Sequence, residues 1–496
     1  MNVPATRFPS LRISAEHIEA QGAFAESQVK YLAPDPEVVE RLSEALSRQR
    51  IGVVAHFYMD PEIQGVLAAS SWPHIQVSDS LVMADRAVAM ARAGMKAIVV
   101  LGVDFMAENA RAMLDAAGFA QVPVYRLAEE AIGCSLAEAA EAPAYERYLE
   151  QAAQTPHSLH VVYINTSLRT KARAQALVPT LTCTSSNVIA SVLQAFVQVP
   201  EVQVWFGPDT YMGQNLAHYF RTLAASDESL IRSLKPAVDR ALLRRVVEGF
   251  HHFQEGACIV HHLFGREVVA QLRQDYPDAL VAAHLEVPSE MFGLALEAQG
   301  QGRGVIGSTS NILSFIEAEA AHAARERAAA RRIVLGTEAG MITPIVRSVQ
   351  RILREQAGQD PQGVIEIVFP VAAEAITPTG FADLPLVPGV MQGEGCSTAG
   401  GCATCPYMKM NTLWRLFEVL ERIERGQERN LLPLEPQIDR SESFAPLLAL
   451  AQRPILSMRH FQTQGELDPE LVEDIRQRKG REPNSLSVPF LEPKAP

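Results

Sequence analysis

Short runs of apolar, often β-branched residues alternate along the chain with longer stretches rich in alanine and charged residues. IGVVAHFY, VMADRAVAMARAG and KAIVVLGVDF follow one another in this way near the start of the sequence. Such short apolar runs are typical of parallel strands that are buried on both faces, and the stretches between them have the length of helices. The pattern therefore predicts an α/β fold.

Polar residues follow the predicted strands in an order that recurs in each third of the chain. A pair of polar or aromatic residues comes first, then a turn rich in serine and threonine, then a glycine followed by an acidic residue. The three leading pairs are His56 and Tyr58, Tyr163 and Asn165, and His284 and Glu286. Because serine and threonine cap helices in any α/β protein, coincidence is the alternative. We favour a repeat, which predicts three similar three-layer α/β units with short parallel sheets in a pseudo-threefold arrangement around a central active site.

The positions of these series also predict the domain organisation. A chain of 496 residues has room for about three domains of ordinary size. We place the three α/β units at 36–155, 156–262 and 263–412, the last with a C-terminal cysteine motif. A helical extension and tail follow at 413–496, because WRLFEVLERIERG has the pattern of an amphipathic helix. No function is indicated for that extension or for the added residues at 214–250.

Charge and composition exclude several classes of protein. The net charge is −13, and lysine and arginine are scattered along the chain, so there is no basic stripe for a nucleic acid. No apolar stretch is long enough to span a membrane, and the first residues lack the apolar core of a secretory signal. We therefore expect a cytoplasmic protein without nucleic-acid or membrane partners.

The cysteines are the strongest chemical signal in the sequence. Six cysteines are too few for a disulfide scaffold in so long a chain, so metal binding or redox chemistry is expected. Cys402 and Cys405 stand in CATCP, a spacing typical of iron–sulfur ligands. A structural zinc site that includes Cys396, and a redox dithiol, remain alternatives. Cys134 and Cys258 lie in the other two thirds, and each taken alone is also compatible with a buried apolar thiol.

One thiolate from each third would hold an iron–sulfur cluster. Three cysteines on a [4Fe–4S] cluster leave one iron with an open position, and an open metal site acts as a Lewis acid. Such a cluster suits dehydration chemistry better than electron transfer. Cys183 is interpreted as a core residue.

A set of motifs, in order from about residue 51 to 415, resembles the quinolinate synthase family. The motifs are AHFYMDPEIQ, SDSL, GVDFMAE, GCSLAE, VVYINTS with Lys171 shortly after, CTSSN, GACIVH, GSTSNI and CPYMKMNTL. The resemblance implies a transferase that condenses iminoaspartate with dihydroxyacetone phosphate to quinolinate, phosphate and water in de novo NAD biosynthesis. It also implies a [4Fe–4S] cluster on Cys134, Cys258 and Cys405, and a functional link to L-aspartate oxidase as the supplier of iminoaspartate.

The resemblance further implies a set of residues that line the substrate site. These are His56, Ser80, Tyr163, Asn165, Ser185, His284, Glu286 and Thr309. Ser80, Ser185 and Thr309 are expected at helix N-termini, where hydroxyls and backbone N–H groups bind anions. His284 and Glu286 are two apart on a segment expected to be extended, and they suit a paired acid and base.

Three further residues complete the predicted catalytic set, which is His56, Tyr58, Tyr163, His284 and Glu286. Tyr163 is a candidate proton donor, and His56 is expected to orient the substrate or polarise a carbonyl, with Tyr58 beside it. His261, three residues after Cys258, is a candidate to support a metal ligand. The acidic residues that end the three series are interpreted as structural: Asp104, Asp209 and Glu338.

The chain departs from the family pattern at two places. It has His284-Leu285-Glu286 where the family often has His-Pro-Glu, and five residues separate Cys396 from Cys402. Two other interpretations remain. One is a different iron–sulfur lyase acting on a small dicarboxylate, and the other is a non-enzymatic metal or redox-sensing protein that uses the C-terminal cysteines.

Overall fold

A computed structural model describes residues 8–228, 231–232, 237–326, 330–356, 363–370, 405–432 and 444–478. The described residues form two compact lobes. Lobe 1 is drawn from Met1–Ala110, Phe119–Ile132 and Cys258–Leu432. Lobe 2 is drawn from Arg111–Gly118, Gly133–Ala257 and Pro433–Pro496. The four predicted boundaries differ from this grouping and stay a prediction.

Strands and helices alternate over most of the described chain. The strands are β1 (Ser10–Ile13), β2 (Ile18–Gln21), β3 (Ile51–His56), β4 (Ile75–Ser78), β5 (Ala97–Leu101), β6 (Val124–Tyr125), β7 (Ser158–Tyr163), β8 (Thr180–Cys183), β9 (Gln203–Gly207), β10 (Phe250–His252), β11 (Leu280–His284), β12 (Gly304–Gly307), β13 (Arg331–Gly336) and β14 (Ile365–Val368). The helices are α1 (Ala23–Val29), α2 (Pro36–Gln49), α3 (Pro61–Ala69), α4 (Ser80–Arg92), α5 (Asp104–Ala116), α6 (Ser135–Glu141), α7 (Pro143–Gln154), α8 (Leu168–Leu177), α9 (Val188–Gln198), α10 (Thr210–Ala225), α11 (Arg240–Gly249), α12 (Arg266–Asp275), α13 (Ser289–Gly300), α14 (Thr309–Glu326), α15 (Ile342–Gln356), α16 (Leu413–Arg425), α17 (Phe444–Gln464) and α18 (Pro469–Gln477).

Several helix starts follow from the local sequence. Helices α2, α3 and α18 each begin at an Asp-Pro-Glu sequence, and in each the aspartate side chain accepts the backbone N–H of the glutamate. Proline has the backbone angle of a first helical residue, and aspartate satisfies an N–H that the helix leaves unpaired. The three caps therefore fix where these helices begin.

The three sheets share one strand order. The first, in lobe 1, is β4-β3-β5-β6, and the second, in lobe 2, is β8-β7-β9-β10. The third, in lobe 1, contains β12-β11-β13-β14. All neighbours within these sets of four are parallel. The repeated order confirms the α/β fold and the threefold repetition of the chain, while the arrangement of the sheets around a central site stays a prediction.

The third sheet has an addition that the sequence did not indicate. Strand β1 pairs antiparallel with β14 and with β2, so that an N-terminal hairpin extends the sheet. Leu11 and Ile13 of this hairpin join a core that includes Ile333 and Ile367 of the sheet. The hairpin therefore belongs structurally to the third repeat, although it stands at the opposite end of the sequence.

The C-terminal residues form helices, as predicted. In lobe 2, α17 packs on α8 and β8. Its residues Ala451, Ile455, Met458 and Phe461 are buried, with the three- and four-residue spacing of one helix face. The tail from 479 lies outside the described residues. No helix in the described part of the chain is long and apolar enough to cross a membrane.

Candidate active site

Two histidines end buried strands of lobe 1 and share a local geometry. His56 ends β3, and its Nδ1 accepts the backbone N–H of Tyr58 at 3.2 Å. His284 ends β11, and its Nδ1 accepts the backbone N–H of Glu286 at 3.3 Å. A backbone N–H can only donate, so Nδ1 is the unprotonated nitrogen and Nε2 carries the proton in each neutral ring. Both rings therefore present an N–H donor at Nε2.

Burial keeps these two rings neutral. It lowers the pKa of His56 to about 3 and that of His284 to about 4, although the charge of Glu286 acts in the opposite direction on both. The free-energy cost of removing an imidazolium from water is larger than its stabilisation by the nearby carboxylate. At neutral pH these side chains act as hydrogen-bond donors and not as cations.

Glu286 lies against a third histidine. Its Oε2 is 3.1 Å from Nδ1 of His261, and Oε1 is 3.6 Å from Nδ1 of His284. The rings of His261 and His284 stack with centroids 5.0 Å apart. Strand β11 pairs with β12 only as far as His284, and Glu286 stands on the turn that follows. The expectation that both residues lie on an extended segment is therefore wrong. The two side chains are nevertheless neighbours, as predicted.

Cys258 completes a group of side chains that suits a metal ion. One ligand atom from each of Cys258, His261 and Glu286 lies within 4.8 Å of the others. Cys258 is partly exposed, whereas His261 and Glu286 are buried. Thiolate, imidazole and carboxylate are all metal ligands, and thiolate is the usual ligand of iron–sulfur clusters. His261 thus lies beside Cys258, and its role in supporting a metal ligand stays a prediction.

Tyr58 lies in the same part of lobe 1. Its ring is 4.6 Å from the ring of His56, and its hydroxyl is 3.2 Å from Oγ1 of Thr337. Burial, together with the charges of Glu286 and Glu338, raises the pKa of Tyr58 far above its usual value. The phenol therefore keeps its proton at neutral pH. Thr337 was not predicted to take part in the site, although it stands in the third polar series.

Two helix N-termini meet in lobe 1. Ser80 is the first residue of α4 and Thr309 the first of α14, as predicted. Asp79 accepts the N–H groups of the first turn of α4 through Oδ1, and its Oδ2 accepts the hydroxyl of Ser310 at 3.3 Å. Helix N-termini carry partial positive charge, and the carboxylate of Asp79 already occupies the first-turn N–H groups of α4 and bonds to the start of α14.

A hydrogen bond joins the side chain of Glu338 to the backbone of Cys405. The N–H of Cys405 donates to Oε1 of Glu338 at 3.1 Å. Burial raises the pKa of Glu338 to about 8, and the two N–H groups that it accepts, from Gly340 and Cys405, act against that rise. Cys405 is partly exposed. The sequence assigned Glu338 a structural role only and gave no sign of this contact.

The remaining predicted residues lie in lobe 2. Tyr163 ends β7 and is buried, and Asn165 stands in the turn that follows. The turn is held by the fully buried Lys171, whose Nζ donates to the carbonyl of Ile164 at 3.1 Å, to the hydroxyl of Thr166 at 2.9 Å and to the carbonyl of Thr166. Lys171 thus fixes the backbone on which Asn165 stands.

Two other placements in lobe 2 bear on the predictions. Cys134 directly precedes α6 and is partly exposed. Ser185 is not at the start of a helix, which corrects the expectation: α9 begins at Val188 after the cap residue Asn187, whose Oδ1 accepts the N–H of Thr184 at 2.8 Å. Ser185 therefore stands in the turn between β8 and α9. Cys396 and Cys402 lie outside the described residues.

The acidic residues interpreted as structural have that role in part. Asp104 forms a 2.7 Å ion pair with the buried Arg126 and accepts the N–H of Ile132. Asp209 accepts the N–H of Met212 at 2.9 Å and caps α10. Cys183 is fully buried at the end of β8, as expected of a core residue.

Comparisons with known proteins agree with the resemblance. The family model described as "NadA: Quinolinate synthetase A protein" matches residues 40–357. The chain is 50% identical over 482 residues to "Quinolinate synthase, chloroplastic" of Arabidopsis thaliana, which covers 94% of this chain and 67% of the relative. It is 49% identical over 483 residues to the protein of that name from Nicotiana tabacum, with 95% and 67% covered. It is 26% identical over 424 residues to "Quinolinate synthase" of Prochlorococcus marinus (strain MIT 9303), with 83% and 95% covered.

These relatives correct one expectation. The prediction of a cytoplasmic protein is wrong, because the relatives that are 46–50% identical are named chloroplastic quinolinate synthases. That prediction came from the lack of a secretory signal and of a membrane-spanning stretch, and neither property distinguishes the cytosol from the interior of an organelle.

Proposed function

The chain belongs to the quinolinate synthase family, and from that premise we propose that it condenses iminoaspartate with dihydroxyacetone phosphate to quinolinate, phosphate and water, as a transferase of NAD biosynthesis. The observation that carries the proposal is the grouping in lobe 1 of two neutral histidines, a protonated tyrosine, a buried carboxylate and two helix N-termini. L-Aspartate oxidase is the proposed supplier of iminoaspartate.

The charge of both substrates suits the helix N-termini. Iminoaspartate is a dicarboxylate and dihydroxyacetone phosphate is a phosphate ester, so each needs partners for negative charge. Ser80 and Thr309 are proposed to offer their hydroxyl groups at the starts of α4 and α14, where the helix dipole favours negative charge. Asn165 and Ser185 are the proposed substrate-binding residues of lobe 2.

The condensation also needs repeated proton transfers, for which the site has separate donors and an acceptor. His56 and His284 donate hydrogen bonds from Nε2 to substrate oxygen atoms and remain neutral. Glu286 is the proposed base, and its Oε2 lies 3.1 Å from Nδ1 of His261. Tyr58 and Tyr163 are the proposed donors to leaving oxygen atoms.

The donors present suit an iron–sulfur cofactor. We propose that a [4Fe–4S] cluster is held by Cys258 and Cys405 of lobe 1 and by Cys134 of lobe 2, the three positions that the family resemblance implies. All three residues are partly exposed. When bound, the cluster supplies an open iron that acts as a Lewis acid. His261 and Glu286 would stand directly beside the Cys258 ligand.

Metal content tests the cofactor part of the proposal. Protein purified without oxygen is expected to carry about four iron and four acid-labile sulfide per chain. Cys258→Ala should lose most of both, while Cys183→Ala, which removes a buried thiol of β8, should keep them. Zinc in place of iron, or equal losses from the two variants, would contradict the cluster.

Quinolinate formation tests the catalytic part. With iminoaspartate generated in the assay, the wild-type protein should form quinolinate and release phosphate. His284→Ala should keep the wild-type iron content and lose activity by about 100-fold or more, which is the usual contribution of a positioned proton donor. Full activity of that variant, or no quinolinate from iron-loaded wild type, would refute the proposed reaction.

A further inference from the structure

Glu338 joins two segments of lobe 1 that are far apart in sequence. It follows β13 and is fully buried. Its Oε2 accepts the N–H of Gly340 at 2.7 Å, which caps the short helix Ala339–Met341. Its Oε1 accepts the N–H of Cys405, 67 residues later, at 3.1 Å. The two oxygen atoms of one carboxyl group thus bind the end of the third sheet to the cysteine segment.

The carboxyl group of Glu338 is itself held tightly. An added Cβ at Gly340 would lie 2.6 Å from Oε2 of Glu338 and 2.6 Å from the carbonyl oxygen of Phe57. The side chain of Gln64, also buried, donates to the carbonyls of Gly340 at 2.9 Å, Met59 at 2.9 Å and Phe57 at 2.6 Å. Glu338 therefore belongs to a close-packed polar network that includes the turn after β3.

The residues after Cys405 are anchored separately. Asn411 is fully buried, and its side chain exchanges two hydrogen bonds with the backbone of Gly102, accepting at 3.2 Å and donating at 3.1 Å. Between them, the N–H of Lys409 donates to the carbonyl of Cys405 at 3.2 Å. The segment from Cys405 to Asn411 is thus fixed at one end to the first sheet and at the other to Glu338.

We propose that Glu338 is a positioning residue for the cofactor: by binding the backbone N–H of Cys405, it holds the thiol of that residue where it can bind the cluster. The inference rests on the proposed function, since it requires Cys405 to be a ligand. Groups that orient metal ligands typically change metal affinity or activity by about 10- to 100-fold when they are removed. Glu338 is expected to act through the stability of the cluster, without contact to the substrate.

The test uses Glu338→Gln in the full-length protein, with Glu366→Gln as the matched control. Glutamine keeps the shape of glutamate but has one acceptor oxygen, so it cannot accept both N–H groups. Glu366 is another buried carboxylate of lobe 1, bound to Arg332 at 2.9 Å and to Ser10 at 3.2 Å. It bonds neither Gly340 nor Cys405 in these contacts.

Two measurements that do not depend on turnover report the result. One is the iron and sulfide content after anaerobic purification, and the other is the rate at which iron passes to a ferrous chelator. Glu338→Gln should release iron about 10-fold faster than wild type or more, and Glu366→Gln should release it at the wild-type rate. Circular dichroism and the thermal midpoint show whether each variant is folded.

Each outcome decides the inference. Wild-type iron content and release rate in Glu338→Gln would overturn it while leaving the proposed function in place. A wild-type protein that holds no cluster would overturn both. If Glu338→Gln does not fold, Glu338→Asp replaces it, because the shorter side chain keeps the carboxyl group but cannot reach both N–H groups. Faster iron release supports the inference, and an unchanged rate refutes it.

Discussion

Acid should destabilise lobe 2 through His160. This residue stands in the middle of β7 and is fully buried. Its Nε2 is 2.8 Å from the hydroxyl of Tyr145, and no residue in the described part of the chain bonds its Nδ1. Burial lowers the pKa of His160 to about 3. A proton added to the ring would create a buried cation whose second N–H has no acceptor.

The size of the effect follows from the difference in pKa between the folded and unfolded states. An unfolded histidine has a pKa of about 6.5, so between about pH 6.5 and 3 the unfolded chain binds a proton that the folded chain does not. The contribution of neutral His160 to the free energy of unfolding is complete above pH 6.5 and is lost as the pH falls toward 3. Between pH 7.5 and 5, this one residue should reduce the free energy of unfolding by about 2 kcal/mol.

Urea denaturation of wild type, His160→Gln and His17→Gln at several pH values measures this contribution. Glutamine lacks a titrating group. Between pH 7.5 and 5, the free energy of unfolding of His160→Gln should therefore fall by about 2 kcal/mol less than that of wild type, whatever the stability of the variant at pH 7.5. His17 is exposed, and its replacement should leave the wild-type pH dependence unchanged. The difference between variants isolates His160 from His56 and His284, which shift stability in the same direction. Parallel pH profiles for wild type and His160→Gln would refute the reasoning.

Two further substitutions test the packing behind the site. Lys171→Met removes the ammonium group that bonds Ile164 and Thr166, so we expect urea denaturation to show a free energy of unfolding lower by about 3–5 kcal/mol. Turnover should also be lower at temperatures where the variant is folded. An unchanged free energy of unfolding would show that the turn does not need the cation. Gly340→Ala places a Cβ 2.6 Å from Oε2 of Glu338 and should lower the free energy of unfolding by about 1–3 kcal/mol. In the control, Gly293→Ala, an added Cβ meets nothing within 4 Å, so a loss as large as that of Gly340→Ala would contradict the steric argument.

The local part of this site was predictable from the sequence. His56 and His284 directly follow apolar runs, and in a buried parallel strand the first polar residue marks the end at which ligands gather. Ser80 and Thr309 precede helical patterns and stand where capping predicts them. These predictions needed only periodicity and the chemistry of the side chains.

The non-local part was not predictable in the same way. The bond from Cys405 to Glu338 joins residues 67 apart, and the pairing of Tyr58 with Thr337 spans 279. A single sequence contains the chemistry of such groups but not their distance, which depends on how the repeats pack. Ser185 shows a smaller limit: Ser185, Ser186 and Asn187 are all residue types that precede helices, and pattern alone does not show that α9 begins only after Asn187.

The N-terminal hairpin has a consequence for the order of folding. Ser10 lies opposite Val368 in the pairing of β1 with β14, so the third sheet joins two strands that are more than three hundred residues apart in the sequence. Contacts of such wide sequence separation form slowly, because a long loop must close first. During synthesis the first sheet can form from a continuous stretch, whereas the apolar face of β1 must wait for β14 to leave the ribosome. The hairpin is therefore exposed from its synthesis until β14 exists, and a nascent chain needs protection from aggregation during that time.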